Sequence, residues 1–302
     1  MSLGPAMLRA LRPKQWTKNG LLLPALVFSQ RYTDLDAVVS VGAGIALFCM
    51  LSSAGYLVND LRDVENDRKH PKKKLRPIAS GDLPESVARL LAGLLIVVGI
   101  GGSLYLSSIH APADPAASFW EQWSFASTAL GYLFVTLSYS FYFKHVVLLD
   151  VMFISTGFLL RAVAGAAAIP VESSPWFLIC TAFGALFLGM SKRLAELRLL
   201  DRAAGEHRKI LDEYTPQLLE QLISIVTACT LISYALYTFT GPHDRSLMLT
   251  LPFVMYGMFR YLYLVACGQA GGEPESTLLK DRPLQACIVL FVLVAVVTLG
   301  PA

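Results

Sequence analysis

The chain has 302 residues, 55% of them apolar and only 16% charged, with a formal net charge of +3 and a mean hydropathy of +0.54. A soluble domain is about 45–50% apolar and about 25% charged, so this balance excludes a disordered, collagen-like or nucleic-acid-binding chain and argues against a soluble enzyme. It points to an all-α membrane protein, one polytopic domain over residues 1–302 embedded in a lipid bilayer. The N-terminal segment carries Arg9, Arg12 and Lys14 without an apolar core and small-residue cleavage site behind them, so no signal peptide is expected.

A membrane-spanning helix needs about 20 apolar residues. Charge-free runs of this kind fall at 37–58, 90–109, 122–143, 173–191, 221–242 and 283–302. Three further spans are expected at 16–30, which is short and holds Pro24, at 146–169, which holds Asp150 and Arg161, and at 246–270, which holds Arg260. The expected architecture is a bundle of nine transmembrane helices. If the N-terminus is cytoplasmic, the inside segments (the N-terminus, 59–89, 143–146, 191–217 and 260–283) hold 22 of the 25 Lys and Arg residues. Arg31 and Arg245 are left outside, Arg161 lies within a span, and the C-terminus is external. The long charged loops, about 59–89 and 191–217, place the chemistry in a polar cavity facing the cytoplasm. Cys49, Cys180, Cys229, Cys267 and Cys287 form no C-x-x-C pair, which argues against disulfides and zinc. His70, His110, His145, His207 and His243 are too dispersed for a histidine metal site.

The first charged loop opens with Asn59-Asp60-x-x-Asp63-x-x-x-Asp67. On a helix these residues share one face, and Tyr56 lies one turn earlier. Like charges so placed require neutralisation. Mg²⁺ serves, because it binds through one or two carboxylates together with substrate phosphates. Arg68, Lys69, Lys72, Lys73, Lys74 and Arg76 follow at once. Acids for a metal beside cations for phosphate indicate a pyrophosphate-bearing substrate. The plainer alternative is a basic flank of a membrane helix with its solvated counter-charges.

The acidic motif resembles the first Asp-rich motif of the UbiA superfamily of intramembrane prenyltransferases, and Tyr139-Ser-Phe-Tyr-Phe-Lys144 resembles that family's Tyr-to-Lys signature. Where the aromatic prenyltransferases carry a second Asp-rich motif, this chain reads Ser191-Lys-Arg-Leu-Ala-Glu-Leu-Arg198. Lys192 and Arg193 replace most of the acids, and Glu196 remains one turn from Lys192. Together with Arg12-Pro-Lys-Gln-Trp-Thr-Lys-Asn19 and His70-Pro-Lys-Lys-Lys-Leu-Arg-Pro-Ile-Ala-Ser-Gly81, this pattern is similar to the phosphoribosyl-transferring branch of the superfamily. That resemblance implies a Mg²⁺-dependent pentosyl transfer from phosphoribosyl pyrophosphate (PRPP) to a polyprenyl (decaprenyl) phosphate in the inner cell membrane, an early step of decaprenyl-phosphoarabinose and cell-wall arabinan synthesis.

On this reading Asp60, Asp63 and Asp67 are the catalytic acids, and Asn59, Asp63 and Asp67 are the metal ligands. Lys73, Lys144 and Arg161 are expected to clamp the donor phosphates, and Lys18 and Tyr56 to orient the sugar phosphate. Lys192, Arg193 and Glu196 are expected to serve the lipid phosphate. Asp150 and Arg161 share a helix face three turns apart, and a charge at mid-bilayer costs about 2.5–3.5 kcal/mol unless it faces a polar cavity. A homo-oligomer is compatible with the sequence. Two other readings stand beside this one: a prenyltransferase using a prenyl pyrophosphate and an aromatic acceptor, and a lipid or polyanion transporter.

Overall fold

The computed structural model describes residues 3–71, 73–112, 118–200, 209–241, 245–268, 277, 278 and 280–300. Lys72, His207, His243, part of the 191–217 segment and the ends of the 246–270 and 283–302 spans lie outside these residues. All regular structure among the described residues is helical. The first helices are α1 (Leu3–Leu11), α2 (Leu23–Phe28), α3 (Leu35–Arg62), α4 (Val64–Lys69), α5 (Glu85–Ile109) and α6 (Phe119–Gln122). They are followed by α7 (Ser124–Phe141), α8 (Leu149–Ala168), α9 (Pro175–Leu200), α10 (Pro216–Thr240), α11 (Leu251–Ala266) and α12 (Arg282–Leu299).

Among the described residues, seven segments are long and apolar enough to cross a membrane: Leu35–Arg62, Glu85–Ile109, Leu149–Ala168, Pro175–Arg198, Pro216–Thr240, Arg245–Ala266 and Arg282–Leu299. The protein is therefore an integral membrane protein. Each of the seven falls on an expected span; the other two expected spans differ in kind. The 122–143 span is the 18-residue α7, whose polarity is raised by six Ser and Thr residues. The 16–30 span is a 3-10 stretch, Pro13–Leu22, followed by the one-and-a-half-turn α2 with Pro24 in its first turn. Arg260 does not interrupt its span. It sits inside α11 and pairs at 2.8 Å with Asp281, the N-cap of α12.

The chain divides into two compact units. The first comprises Met1–Lys144 and Leu160–Glu172, the second His145–Leu159 and Ser173–Ala302. Helix α8 thus contributes its N-terminal part to one unit and its C-terminal part to the other.

In the first unit, α3 is the organising helix. Its 28 residues extend roughly 42 Å at 1.5 Å per residue, more than the hydrocarbon core requires. Asp34 caps it by accepting bonds from the Asp36 and Ala37 N–H groups. Arg31 holds Asp34 at 2.6 Å and donates to the Ile169 carbonyl at 2.8 Å, tying the start of α3 to the end of α8. Two apolar clusters flank the helix. Leu22, Val41, Phe48, Leu51, Phe125 and Ala164 form one, and Ala6, Ala10, Leu57, Val64, Ile78 and Leu83 form the other, around the charged end. In the second unit Val151, Phe187, Met190, Leu194, Ile223 and Tyr261 form the core. Helix α9 runs to Leu200, past the expected end at 191, because Arg-Leu-Ala-Glu-Leu-Arg contains only good helix formers.

Gly165 permits the closest backbone approach in the first unit. A Cβ there would collide with the Leu22 carbonyl oxygen and stand 2.8 Å from Leu22 Cα. Gly165→Ala is therefore expected to lower the thermal unfolding midpoint in detergent, by the equivalent of about 1–3 kcal/mol of overpacking. Gly93→Ala, where nothing lies within 4 Å, is expected not to lower it.

Candidate active site

The acidic motif straddles the end of α3. Asn59 and Asp60 lie in its last turn, Asp63 terminates it, and Asp67 lies in α4. The backbone ladder persists across the joint, with Asp63 N–H on the Asn59 carbonyl at 3.0 Å and Asp67 N–H on the Asp63 carbonyl at 2.8 Å. The change of direction at Asp63 distributes the acids between two groups, one held by Arg12 and Arg76 and the other by Lys144.

Asp60 and Asp67 form the first group. Both are nearly fully buried, at 3% and 2% exposure. Arg76 bridges them, donating at 3.0 Å to Asp60 and 2.7 Å to Asp67. Arg12 donates from the opposite side to both Asp60 oxygens, at 2.6 and 2.8 Å. Its guanidinium carbon stands 5.0 Å from the centre of the Tyr56 ring, a cation–π contact. Arg12 adopts a left-handed backbone conformation, φ 55°, to turn from α1 into the 3-10 stretch. The same corner is fastened by Ser53 Oγ donating to the Leu11 carbonyl at 3.0 Å and by Trp16 Nε1 donating to Ser53 Oγ at 3.0 Å. Lys73 opens the short 3-10 turn Lys73–Leu75 in the same connector, and its N–H donates to His70 Nδ1 at 3.2 Å.

Asn59 and Asp63 form the second group. Lys144 reaches them from the turn before α8, its Nζ 2.6 and 2.7 Å from the two Asp63 oxygens and 3.4 Å from Asn59 Oδ1. The lysine is buried, while the Asp63 side chain keeps 25% of its surface exposed. An oxygen-only donor set thus already converges on a positive charge.

Between α3, α7 and α8 lies a buried polar cluster. Arg161 is 5% exposed; its Nε donates to Asn19 Oδ1 at 2.8 Å and its Nη2 to the Tyr132 hydroxyl at 2.7 Å. Asn19 is fully buried and spends its amide hydrogens on Ser52 Oγ and Cys49 Sγ. Of the expected substrate-binding residues, Arg161 meets Tyr132 directly, its guanidinium carbon also standing 4.6 Å from the ring centre.

The second unit holds its own charged network. Asp150 is fully buried and accepts from Arg193 Nε at 2.8 Å and from the Tyr214 hydroxyl at 2.6 Å. Arg193 also donates to Glu196 at 2.6 Å. Tyr214 accepts from the Leu148 N–H at 2.8 Å, at a residue with φ 65°. Burial, and then its bond to Asp150, push the Tyr214 hydroxyl well above the ordinary tyrosine range, so it remains a donor. Asp150 and Arg161 therefore have separate partners. Lys192 is half-buried beside Arg193 on α9. The Ser191 hydroxyl is buried without a hydrogen-bond partner.

Among the described residues, no group of three or more His, Cys, Asp or Glu side chains is placed to hold a metal ion. The reason is visible in the pairing, since Arg12, Arg76 and Lys144 occupy the carboxylates. The hard oxygens of Asn59 and Asp63 nevertheless suit Mg²⁺, which takes few protein ligands when phosphate oxygens supply the rest. The five cysteines are free.

The profile of the UbiA prenyltransferase family matches residues 21–296. The chain belongs to that family. This UbiA chain is 36% identical over 302 residues to the decaprenyl-phosphate phosphoribosyltransferase of Mycolicibacterium smegmatis, covering 95% of this chain and 90% of its relative. It is 37% identical to the protein of that name from Corynebacterium glutamicum, covering 96% and 86%. In structure it is similar to a UbiA homolog from Archaeoglobus fulgidus bound to GPP and Mg²⁺, with a TM-score of 0.70 at 17% identity over 97% of this chain and 99% of that one. The family resemblance carried by the motifs is borne out, and the fold is the all-helical UbiA fold.

Several residues of these networks escape motif reading. Arg12 and Arg76 lie inside basic strings and are indistinguishable there from their neighbours. Asn19, Tyr132 and Tyr214 carry no signal, because a single amide or phenol in an apolar sequence resembles packing. Arg76→Ala is expected to leave two buried carboxylates under-compensated and to cost about 3–5 kcal/mol in thermal unfolding. Arg68→Ala, which removes exposed pairs with Glu65 and Glu85, is expected to cost less than about 1 kcal/mol in the same measurement.

Proposed function

We propose that this UbiA-family protein transfers the 5-phosphoribosyl group of PRPP to a polyprenyl phosphate, decaprenyl phosphate in the simplest case, and releases pyrophosphate. The observation that carries the reading is identity of 36–37% over nearly the whole chain to proteins of that name. The cation-rich site supports it, since donor and acceptor are both polyanions. The product would enter decaprenyl-phosphoarabinose and arabinan synthesis.

Asn59 and Asp63 would hold Mg²⁺ together with pyrophosphate oxygens. When bound, the metal neutralises charge that develops on the leaving pyrophosphate. Lys144 and Lys73 bind pyrophosphate oxygens. Arg161, with Lys18 and Tyr56, receives the 5-phosphate, and Asn19 and Tyr132 keep the guanidinium oriented toward it. Asp60 and Asp67, expected from the motif as catalytic acids and Asp67 also as a metal ligand, are instead assigned to holding Arg12 and Arg76, with which they are paired. An acceptor phosphate is already ionised, so attack of its oxygen on ribose C1 needs no strong general base. Lys192 is assigned to that phosphate together with Arg193, which is braced by Asp150 and Glu196.

The same reading places residues 1–302 in the inner membrane as one polytopic domain, with the N-terminus and a polar cavity on the cytoplasmic side. Adding 13–28 and α7 to the seven long helices gives nine crossings and an external C-terminus. A C-terminal alkaline phosphatase fusion is then expected to be active, and a C-terminal green fluorescent protein fusion dark; the reverse result removes the ninth crossing.

The function is tested with purified protein, ¹⁴C-labelled PRPP, Mg²⁺ and decaprenyl phosphate. Label is expected in the organic phase, and EDTA or Asp63→Ala is expected to abolish it. Absence of label, with product formed instead from a prenyl pyrophosphate and an aromatic acid, would keep the family and overturn the substrate.

A further inference from the structure

The Lys144 ammonium lies against both oxygens of Asp63, at 2.6 and 2.7 Å, and within 3.4 Å of Asn59 Oδ1. It approaches from the interior, since its side chain is 4% exposed against 25% for Asp63. A divalent cation reaching Asp63 from the open side therefore meets a positive charge already seated on the same oxygens. Lys144 belongs to the short 3-10 turn Phe143–His145, which leads through the left-handed Leu148 into α8. Repulsion between the ammonium and a bare dication at this range, in surroundings less polar than water, is strong. A dication that arrives with bound phosphate oxygens presents the ammonium with new acceptors, and the repulsion becomes a charge-assisted hydrogen bond.

We propose that Lys144 is a specificity-determining residue, which closes the Asn59–Asp63 site to a free divalent cation and opens it to the cation's pyrophosphate complex. The inference rests on the assignment of a metal-bound pyrophosphate donor to this site, and it holds for any donor of that class. On this inference the Asn59 and Asp63 oxygens would hold the metal only while pyrophosphate oxygens are also in place.

The test uses the full-length protein in detergent and equilibrium dialysis against ⁵⁴Mn²⁺, with and without inorganic pyrophosphate. The quantity read is the Mn²⁺ binding that Asp63→Ala removes, which excludes ions held elsewhere. For the wild type this binding is expected to be at least about tenfold tighter with pyrophosphate present. Lys144→Met is expected to bind free Mn²⁺ at least about tenfold more tightly than wild type and to lose most of the dependence on pyrophosphate. Lys144→Arg keeps the charge and is expected to keep the wild-type dependence. The proposal is overturned if the wild type binds free Mn²⁺ as tightly as the complex, if Lys144→Met gains nothing, or if no Asp63-dependent binding appears in either condition. The wild-type comparison decides the matter even where a variant does not fold. Because no sugar or lipid is present, failure here is distinct from failure of labelled PRPP transfer, which tests the substrate assignment.

Discussion

Three carboxylates leave the end of a membrane helix within eight residues, and each meets a cation from elsewhere in the chain. Asp60 and Asp67 share Arg76, Asp60 also takes Arg12, and Asp63 takes Lys144. The charges balance, three against three. This balance is what allows the motif to be buried rather than solvated, because an unpaired carboxylate in such surroundings carries a large desolvation cost. The local fold follows from it. Arg12 must turn the chain through a left-handed residue to reach Asp60, α1 packs its alanines on Leu57 and Leu83 behind that turn, and the connector after α4 folds back to deliver Arg76.

The pairing also separates two kinds of acid within one motif. Asp60 and Asp67 are sequestered and locked by planar guanidinium groups, which suits a fixed architectural role. Asp63 is accessible and held by an ammonium on a flexible stem, a partner that can exchange one oxygen acceptor for another. The arrangement at Arg161 has the opposite character. There an amide and a phenol, those of Asn19 and Tyr132, accept from the buried guanidinium and fix its direction. In the second unit Arg193 stands between Asp150 and Glu196, so its charge is spent on shaping α9 rather than offered outward.

Much of this was legible before any coordinates. Seven of the nine expected spans coincide with long apolar helices, and the family follows from the acidic motif and the Tyr139–Lys144 string. The two remaining spans show where hydropathy stops being informative. The six hydroxyl residues of α7 look polar to a window average although helix carbonyls can absorb them, and the Pro24 segment is long enough by count but is not one helix. Periodicity places Asn59, Asp60, Asp63 and Asp67 on one face, whereas the break at Asp63 divides them into two groups with separate cations. Which cation meets which acid depends on contacts between residues 9, 16, 48 and 81 positions apart, and no local pattern encodes those distances.

The division of α8 has a bearing on how the protein is made. The first unit needs Leu160–Glu172, yet the ribosome synthesises those residues only after the opening of the second unit, His145–Leu159. A nascent chain paused after Lys144 therefore lacks Ala164, Gly165 and Arg161, which fill the core beside Leu22 and satisfy Asn19. A gene cut at that point would yield two fragments, neither carrying a complete set of contacts for the first unit. The insertion machinery must hold α1 to α7 in an unfinished state until α8 has emerged, and the buried polar cluster around Arg161 is among the last parts of that unit to form.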